Sequence, residues 1–298
     1  MRLLPELFRL PGEYSFTNLN PVTPHPALLL QNNSQNTLVI GDLHIGWEAS
    51  LAEQGLHIPS QTPKLLERLG KIVEETDSVH LIILGDVKHT VERVELMEWR
   101  DIPIFFETLL ELVDEVSVIP GNHDGNLEAL VPRNVNILPT SGFTVDSEVG
   151  IIHGHAWPKP EILGCTNIVM GHLHPIIRLT DALYISTTHQ VWLRTDSDGE
   201  VFAKGLLKHL KIKVEDDVSS TMKRQFGVTL TNPRCIFLPS FNNLLSGQTI
   251  NRGLEDSRSE GPYLGPLLKS GGVLLEDGDA YLLDGSYLGK LKSLQKFS

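Results

Sequence analysis

The sequence predicts an α/β fold in which buried, largely parallel strands lie beneath helices on both faces. Short apolar runs alternate with stretches of helical periodicity through the first half of the chain. Several runs are apolar almost throughout, as expected of strands that are covered on both faces. With 298 residues, of which 41% are hydrophobic and 21% charged, the chain has enough apolar material for a sizeable core. This composition excludes a disordered, collagen-like or coiled-coil protein.

Six apolar runs in the first half are predicted to be strands because turn residues bound them. They are Ala27–Gln31, Thr37–Asp42, Val79–Leu84, Val116–Ile119, Gly150–Ile152 and Asn167–Met170. Two helices are expected between these strands. The first begins at Thr62-Pro63 and has an apolar face, and the second spans Asp101–Val113.

Beyond Tyr184 the pattern mainly predicts strands that are joined by turns containing Gly or Asp. They are Gln190–Leu193, Cys235–Leu238, Gly272–Leu275, Ala280–Leu283 and Tyr287–Leu291. The polar, Gly-rich stretch Ser246–Pro266 is predicted to be a surface loop. We expect a single domain over residues 1–298. Residues 27–194 are its core and carry the motifs described below, and residues 195–298 add a basic helical segment and the strands that complete a second sheet.

The charge balance argues against a polyanion-binding surface over the whole molecule. Lys and Arg number 25 and Asp and Glu 37, so the net charge is −12. The segment from Lys204 to Arg234, however, contains seven basic and three acidic residues, which gives it a local charge of +4. This segment is either a solvated helix face or a contact for a phosphate backbone.

The cysteines and the apolar runs bear on the compartment. The two cysteines, Cys165 and Cys235, have no nearby partner in the sequence. No apolar run reaches the roughly 18–20 residues that a membrane helix needs. We therefore expect a cytoplasmic protein without disulfide bonds or membrane spans.

Polar side chains follow five of the predicted strands at the point where each strand ends. They are Asp42 and His44, then Asp86, then Asn122, His123 and Asp124, then His153 and His155, and finally His172 and His174. Because ligand sites in α/β proteins lie beyond the carboxyl ends of the strands, these side chains are expected to converge. The other histidines without this context are interpreted as ordinary surface or packing residues: His25, His57, His80 and His209.

Imidazoles and carboxylates without thiolates suit borderline divalent metals. Manganese is favoured, with iron, zinc, cobalt and nickel as alternatives. Seven candidate ligands exceed one tetrahedral site: Asp42, His44, Asp86, Asn122, His153, His172 and His174. Two ions about 3.5–4 Å apart would use all seven if they shared one carboxylate, and Asp86 is the predicted bridge. Such a pair can hold a hydroxide and clamp both oxygens of an in-line displacement at phosphorus.

These motifs resemble those of the calcineurin-like metallophosphoesterase superfamily over about Thr37 to Pro175. The resemblance rests on Asp42-x-His44, Gly85-Asp86, Gly121-Asn122-His123-Asp124, His153 beside Gly154, and Gly171-His172-x-His174. It implies a four-layer αββα sandwich of two mixed β-sheets flanked by helices. It also implies that Asp42, His44, Asp86 and His174 bind the first ion, and that Asp86, Asn122, His153 and His172 bind the second.

The resemblance further implies that His123 lies near the leaving group as its proton donor, with Asp124 orienting it. A carboxylate beside a histidine suits this role because it can determine which ring nitrogen carries the proton. Many superfamily members carry Asp, Glu or Asn where this chain has His89. His89 is therefore expected either to contact substrate or to shape its loop, and His155 to be either a further ligand or a supporting residue.

A narrower resemblance is carried by GDLHIGWE, GDVKH, HGHAWP and FLPSFNNLLSGQ. These segments are similar to archaeal SbcD-related phosphoesterases, which are related to the nuclease subunit of DNA-break repair complexes. They are also similar to bacterial phosphoesterases associated with DNA ligase or Lhr-family helicases. The similarity implies a helicase or repair ATPase as partner. It also implies that Phe241 and Asn242 lie near the mouth of the active site, the alternative being that they only pack a strand end.

The favoured function is a two-metal phosphodiesterase that acts on nucleic acid, most directly a DNA nuclease that includes single strands among its substrates. A metal-bridged hydroxide would attack phosphorus, and Arg178 or Arg194 would help to stabilise the added charge. The alternative is a phosphoesterase acting on a nucleotide or another small phosphoester, which the net charge favours. A third class, a non-catalytic metal-stabilised scaffold, is disfavoured because no ligand position is eroded. The sequence makes no prediction about the oligomeric state.

Overall fold

The computed structural model describes residues 17–32, 35–92, 94–252 and 264–298. The chain divides into two compact units. The first comprises Met1–Pro139 with Ser240–Leu245, and the second comprises Thr140–Pro239 with Ser246–Ser298. This boundary lies inside the predicted core of residues 27–194, so the motifs up to Asp124 belong to the first unit and those from His153 onward to the second. The expectation of one domain over residues 1–298 stays a prediction.

The first unit is built on a mixed sheet. Its strands are β1 (Asn18–Pro21), β2 (Leu28–Gln31), β3 (Asn36–Gly41), β4 (His80–Leu84), β5 (Glu115–Val118) and β6 (Asn136–Ile137). They lie across the sheet in chain order, antiparallel from β1 to β3 and parallel from β3 to β6. Most residues of β3, β4 and β5 are buried. This confirms the interpretation of their unbroken apolar runs as strands covered on both faces.

The helices of the first unit are α1 (Trp47–Glu53), α2 (Thr62–Thr76) and α3 (Leu96–Leu112). Helix α2 begins at the predicted residue and buries its apolar face in the core of this unit. Helix α3 begins earlier than the predicted Asp101 because Glu95 and Glu98 form a capping box. A start at Asp101 would place Pro103 in the first turn, where proline is tolerated, whereas the structure has it inside the helix.

The second unit is also built on a mixed sheet. Its strands in the described part of the chain are β7 (Phe143–Val145), β8 (Val149–Ile152), β9 (Asn167–Met170), β10 (Pro175–Thr180), β11 (Ser186–Thr195), β12 (Arg234–Phe237), β13 (Gln248–Thr249), β14 (Asp279–Leu282) and β15 (Tyr287–Lys290). The order is β13-β10-β11-β12-β9-β8-β7, with β14 pairing β11 and β15. Strands β8, β9 and β12 run parallel at its centre. Strands β12 to β15 of this sheet come from residues 195–298.

The helices of the second unit are α4 (Gly199–His209), α5 (Val218–Phe226), and the single turns α6 (Pro266–Lys269) and α7 (Leu291–Leu294). Helices α4 and α5 both contribute residues to the basic segment. The predicted strand Gly272–Leu275 is wrong: Val273 makes one isolated bridge to Ser197, and a 3₁₀ turn begins at Leu275. Part of the predicted loop Ser246–Pro266 lies outside the described residues. In the described ranges no helix combines the length and apolarity that crossing a bilayer requires.

The predicted α/β class is confirmed, with two mixed β-sheets flanked by helices. Each unit has its own hydrophobic core, formed in the first by strand residues and the apolar faces of α2 and α3. In the second unit, α4 contributes Phe202, Ala203 and Leu206 to the core. These cores hold the strands rigidly, and the candidate ligands follow the strands directly.

Candidate metal centre

Two neighbouring loops of the first unit present Asp42, His44 and Asp86. Asp42 follows β3 and Asp86 follows the β4–Gly85 turn, and hydrogen bonds continue beyond the strands. The Asp42 amide donates to the Gly85 carbonyl at 3.1 Å, and the His44 amide donates to the Asp86 carbonyl at 2.8 Å. The loops therefore run side by side as the strands do, and their side chains occupy one edge of the sheet.

The backbone at these three positions is strained. The φ angles are 59° for Asp42, 46° for His44 and 49° for Asp86. Positive φ at a residue other than glycine costs about 1–3 kcal/mol and persists only where the surroundings enforce it. Residues in this state cluster at functional sites, so the strain is consistent with a constructed ligand site.

The side chains of Asp42, His44 and Asp86 converge at a buried site. Each offers one ligand atom, and these atoms lie within 4.8 Å of one another. The Nε2 atom of His44 lies 3.5 Å from an Asp86 carboxylate oxygen. All three residues are buried, and two neighbouring carboxylates that are removed from water need a compensating cation. Carboxylate and imidazole donors fit manganese, iron, zinc, cobalt or nickel and are unsuited to a soft, thiolate-seeking metal.

The loop after β5 closes over Asp86. The His123 amide donates to Asp86 Oδ1 at 3.0 Å, and a Cβ at Gly121 would overlap the same carboxylate. Position 121 therefore requires glycine because Asp86 approaches its backbone too closely for any side chain. Asn122 has an exposed side chain, and its role as a ligand stays a prediction.

Asp124 joins two loops of the first unit. Its Oδ1 accepts the amides of Val87 at 2.9 Å and Lys88 at 3.2 Å, and its Oδ2 accepts the amide of Gly121 at 2.8 Å. The side chain is buried. The carboxylate thus ties the loop that carries Asp86 to the loop that carries His123.

The proton position on His123 is determined by a backbone carbonyl. The Nδ1 atom of His123 contacts the carbonyl oxygen of His89. Because a carbonyl can only accept, Nδ1 carries a hydrogen, and Nε2 is the ring atom left to exchange a proton. That Nε2 lies 4.0 Å from Asp86 Oδ2. The His89 carbonyl therefore holds the Nδ1 side of the ring, and the orienting role that the sequence suggested for Asp124 stays a prediction.

His89 is held beside both predicted site histidines. Its Nδ1 lies 3.3 Å from His44 Nδ1, and its ring stacks on that of His123 with centroids 6.0 Å apart. Burial and the neighbouring His123 ring lower the pKa of His89. Ring nitrogens of His44, His89 and His123 all lie within 4.8 Å of one another. His89 therefore lies against two predicted site residues, and its role, contact with substrate or shaping its loop, stays a prediction.

Glu98, a residue that the sequence reasoning missed, holds the His89 loop in place. Its Oε1 accepts the amides of His89 at 2.9 Å and Thr90 at 2.8 Å, and its Oε2 accepts the amide of Glu95 at 2.9 Å. The side chain is fully buried. The pattern Glu95-x-x-Glu98 at the start of a helix is the signal that could have found it.

The second unit brings its own histidines together. His153 follows β8, while His172 and His174 follow β9, and all three are buried. The ring of His153 lies 5.0 Å from that of His172 and 5.2 Å from that of His155, centroid to centroid. The backbone is again strained, with φ of 62° at His172 and 45° at His174. His155 is half-buried and adjoins both rings, so it fits either alternative, ligand or supporting residue.

Comparison with known proteins identifies the family. The family model for calcineurin-like phosphoesterases matches residues 36–215, which is more than half of the chain and includes every predicted metal ligand. The chain belongs to the calcineurin-like phosphoesterase family. Its chemistry is therefore metal-dependent hydrolysis of phosphoesters.

Among solved structures, this phosphoesterase is similar to the nuclease MPE of Pseudomonas putida, with 16% sequence identity and a TM-score of 0.49. That match covers 91% of this chain and 100% of the other. A comparison with curated proteins finds no match.

The phosphoesterase holds Phe241 and Asn242 within the first unit. The Phe241 amide donates to the Gly41 carbonyl at 2.9 Å, and Asn242 Nδ2 donates to the Leu43 carbonyl at 3.0 Å. Both residues are buried. The structure thus places them directly against the loop that carries Asp42.

The two arginines suggested for charge stabilisation have partners in the second unit of the phosphoesterase. Arg194 pairs with Asp279 at 3.3 Å and lies over the Tyr281 ring, so its charge is already balanced within the fold. Its role in stabilising the substrate stays a prediction. Arg178 donates to the Ser186 hydroxyl at 3.0 Å across the β10–β11 pair, and its contact with substrate stays a prediction.

Helix α4 packs directly on the histidine-bearing loop of the second unit. Trp157, two residues after His155, stacks on His209 with centroids 5.9 Å apart. A Cβ at Gly205 would lie 2.5 Å from the Trp157 ring, so glycine at this position allows the helix to approach the indole. The basic segment and the loop of His153 and His155 are therefore neighbours.

Proposed function

We propose that this phosphoesterase is a two-metal phosphodiesterase that cleaves nucleic acid, with DNA as its main substrate. One observation carries the choice of substrate. Lysines within α4 and just beyond it are exposed and have no carboxylate partner in the described part of the chain: Lys204, Lys208, Lys211 and Lys213. Because α4 packs on the loop of His153 and His155, these cations lie on the element next to proposed ligands.

The two arginines of the basic segment are neutralised and Lys223 donates to the Gly227 carbonyl and the Thr229 hydroxyl, so most of the uncompensated positive charge lies at these lysines. Arg224 pairs with Glu215 at 3.1 Å and with Asp216 at 3.5 Å, and Arg234 pairs with Asp196 at 3.2 Å. A chain with a net charge of −12 repels polyanions at long range, and a local cluster of unpaired lysines is how such a chain can bind a phosphate backbone.

The proposed metal ligands are those of the sequence motifs. Asp42, His44, Asp86 and His174 would bind one divalent ion, and Asp86, Asn122, His153 and His172 would bind the other, with manganese favoured. The donor chemistry of each unit supports this assignment, and the family supports a metal-dependent reaction. When bound, divalent ions lower the pKa of water and offset the charge that accumulates on phosphorus oxygens.

His123 is the proposed general acid. Its Nδ1 hydrogen is held by the His89 carbonyl, so Nε2 delivers the proton to the departing oxygen. The ring is only partly buried, which leaves Nε2 accessible to a substrate. Glu98 and Asp124 keep the two histidine-bearing loops in register through their hydrogen bonds to backbone amides.

The experiment tests metal-loaded protein on three substrates: labelled single-stranded DNA, labelled double-stranded DNA, and bis(p-nitrophenyl) phosphate. We expect hydrolysis of DNA, and we expect chelation or Asp86→Asn to abolish all activity. Hydrolysis of the small diester with every oligonucleotide intact would refute the nuclease proposal. Full activity after chelation or in Asp86→Asn would refute the metal mechanism.

Two triple charge-reversal variants test whether the lysine cluster itself binds DNA. Lys208, Lys211 and Lys213→Glu should weaken DNA binding and reduce its salt dependence. The matched control reverses three exposed lysines elsewhere, Lys64, Lys269 and Lys296, and therefore changes the net charge equally. Equal effects of the two triple variants would mean that only the overall charge matters.

A second candidate function is hydrolysis of a nucleotide or another small phosphoester, which the strongly negative net charge favours. Under this alternative neither triple variant alters turnover. A helicase or repair ATPase stays the proposed partner, on the narrower resemblance alone, and co-purification with such a protein from native cells tests it.

A further inference from the structure

The segment Ser240–Leu245 belongs to the first unit although the chain on both sides of it belongs to the second. It contains no helix or strand. It donates to three consecutive carbonyls at the end of β3 and just after it: the Phe241 amide to Gly41 at 2.9 Å, the Asn242 amide to Asp42 at 3.4 Å, and the Asn242 side chain to Leu43 at 3.0 Å. The carbonyls of Asp42 and Leu43 belong to the loop in which Asp42 and His44 have positive φ angles, and that of Gly41 ends the strand before it. The segment therefore supports a strained loop that presents two proposed metal ligands.

Arg68 on α2 holds this segment from the other side. Its Nη2 donates to the carbonyl of Phe241, and its guanidinium lies over the Phe241 ring at 4.0 Å from the centroid. A guanidinium plane matches an aromatic face well, so this one side chain binds both the backbone and the ring of the same residue.

Arg68 has no other hydrogen-bond or ion-pair partner among the described residues. Its Nε is buried without a hydrogen-bond partner among the described residues, and no carboxylate in the described ranges pairs with it. Burial lowers its pKa to about 10. Removing a cation from water without a counter-charge is unfavourable, and the contact with Phe241 is the interaction that offsets this cost.

We propose that Arg68 is a positioning residue for the metal centre. Through its contacts with Phe241 it holds Phe241 and Asn242 against the loop of Asp42 and His44. It thereby maintains the positions of these two proposed ligands of one ion. The inference rests on the metal centre of the proposed function and is independent of which phosphoester is cleaved. Groups that orient metal ligands typically change metal affinity by about 10- to 100-fold when they are removed.

The test measures metal binding without substrate. Apo protein is titrated with Mn²⁺ by calorimetry for wild type, Arg68→Ala and Arg68→Lys, with Lys64→Ala as the matched control of an exposed cation on the same helix. We expect about tenfold weaker binding of one ion in Arg68→Ala. Lysine keeps a donor for the Phe241 carbonyl but not the stacked plane, so Arg68→Lys should lose less. Lys64→Ala should bind as wild type does.

A double-mutant cycle shows whether the effect passes through the segment. Asn242→Ala removes the bond to Leu43 at the other contact, and if both residues act on one segment, the losses in Arg68→Ala/Asn242→Ala should be less than additive. Affinities within twofold of wild type in Arg68→Ala would overturn the proposal, and so would additive losses. If Arg68→Ala does not fold, unchanged affinity in both Arg68→Lys and Asn242→Ala overturns it. Wild-type protein that binds no metal would instead refute the proposed function.

Discussion

The Asp124 carboxylate is a sensitive test of how the loops of the first unit are held. In Asp124→Asn, the amide oxygen can still accept from Val87 and Lys88. The new NH₂ group, however, faces the amide of Gly121, which donates to Oδ2 at 2.8 Å in the wild type. One buried hydrogen bond is replaced by two opposed donors, and the other two lose their charge assistance.

The expected loss follows from these contacts. A hydrogen bond to a charged group contributes about 1.5–3 kcal/mol, and an unsatisfied buried amide costs about 1–3 kcal/mol. We therefore expect the free energy of unfolding to fall by about 3 kcal/mol. The catalytic rate constant should also fall, by about 10- to 100-fold, because the bonds that tie the loop of Asp86 to the loop of His123 lose their charge assistance and the turn from Gly121 to Asp124 is disturbed.

Urea denaturation of the apo protein measures the stability change, with Asp114→Asn as the control because that aspartate is exposed. The control should be within about 0.5 kcal/mol of wild type. A fall of less than about 0.5 kcal/mol in Asp124→Asn, together with lost turnover on poor leaving groups, would refute this reasoning. It would mean that the carboxylate acts on His123, as the sequence suggested.

Three further predictions use other features of the molecule. Gly121→Ala should abolish tight Mn²⁺ binding because its Cβ would overlap the Asp86 carboxylate; calorimetry that detects wild-type affinity would contradict this. His123→Ala should lower turnover on alkyl leaving groups more than on p-nitrophenolate while metal content by elemental analysis is unchanged, and equal losses on both would argue against a general acid. Burial raises the pKa of Cys165 to about 11 and of Cys235 to about 12, so Ellman's reagent at pH 8 should label neither thiol until the chain is unfolded.

Much of the fold was predictable because the signals are local. The apolar runs of β3, β4 and β5 and the amphipathic face of α2 are visible in short windows of sequence, and the structure confirms them. The errors have local causes as well. The apolar run at Gly272–Leu275 predicts a strand, but only Val273 pairs, and the chain turns at once.

The candidate site was partly predictable for the same reason. The order of motifs after successive strands is a property of the sequence, and it predicts Asp42, Asp86 and His123 as site residues. The contacts between loops were not predictable, because nothing near Asp124 in the sequence shows that its oxygens accept amides from the preceding motif. Glu98 escaped notice because its partners at 89 and 90 lie in a loop, outside the helix that carries it.

By itself, then, the sequence determined the α/β class, the strand ends that carry the candidate ligands and the metal chemistry that their residue types suit. Only the tertiary structure decided which distant groups meet: the His89 carbonyl on His123, Asp279 on Arg194 and Arg68 on Phe241. The physical reason is the distance along the chain over which each feature is encoded. Periodicity, turns and ligand type are encoded in neighbouring residues, whereas the partner of a buried charge depends on how far-apart segments pack.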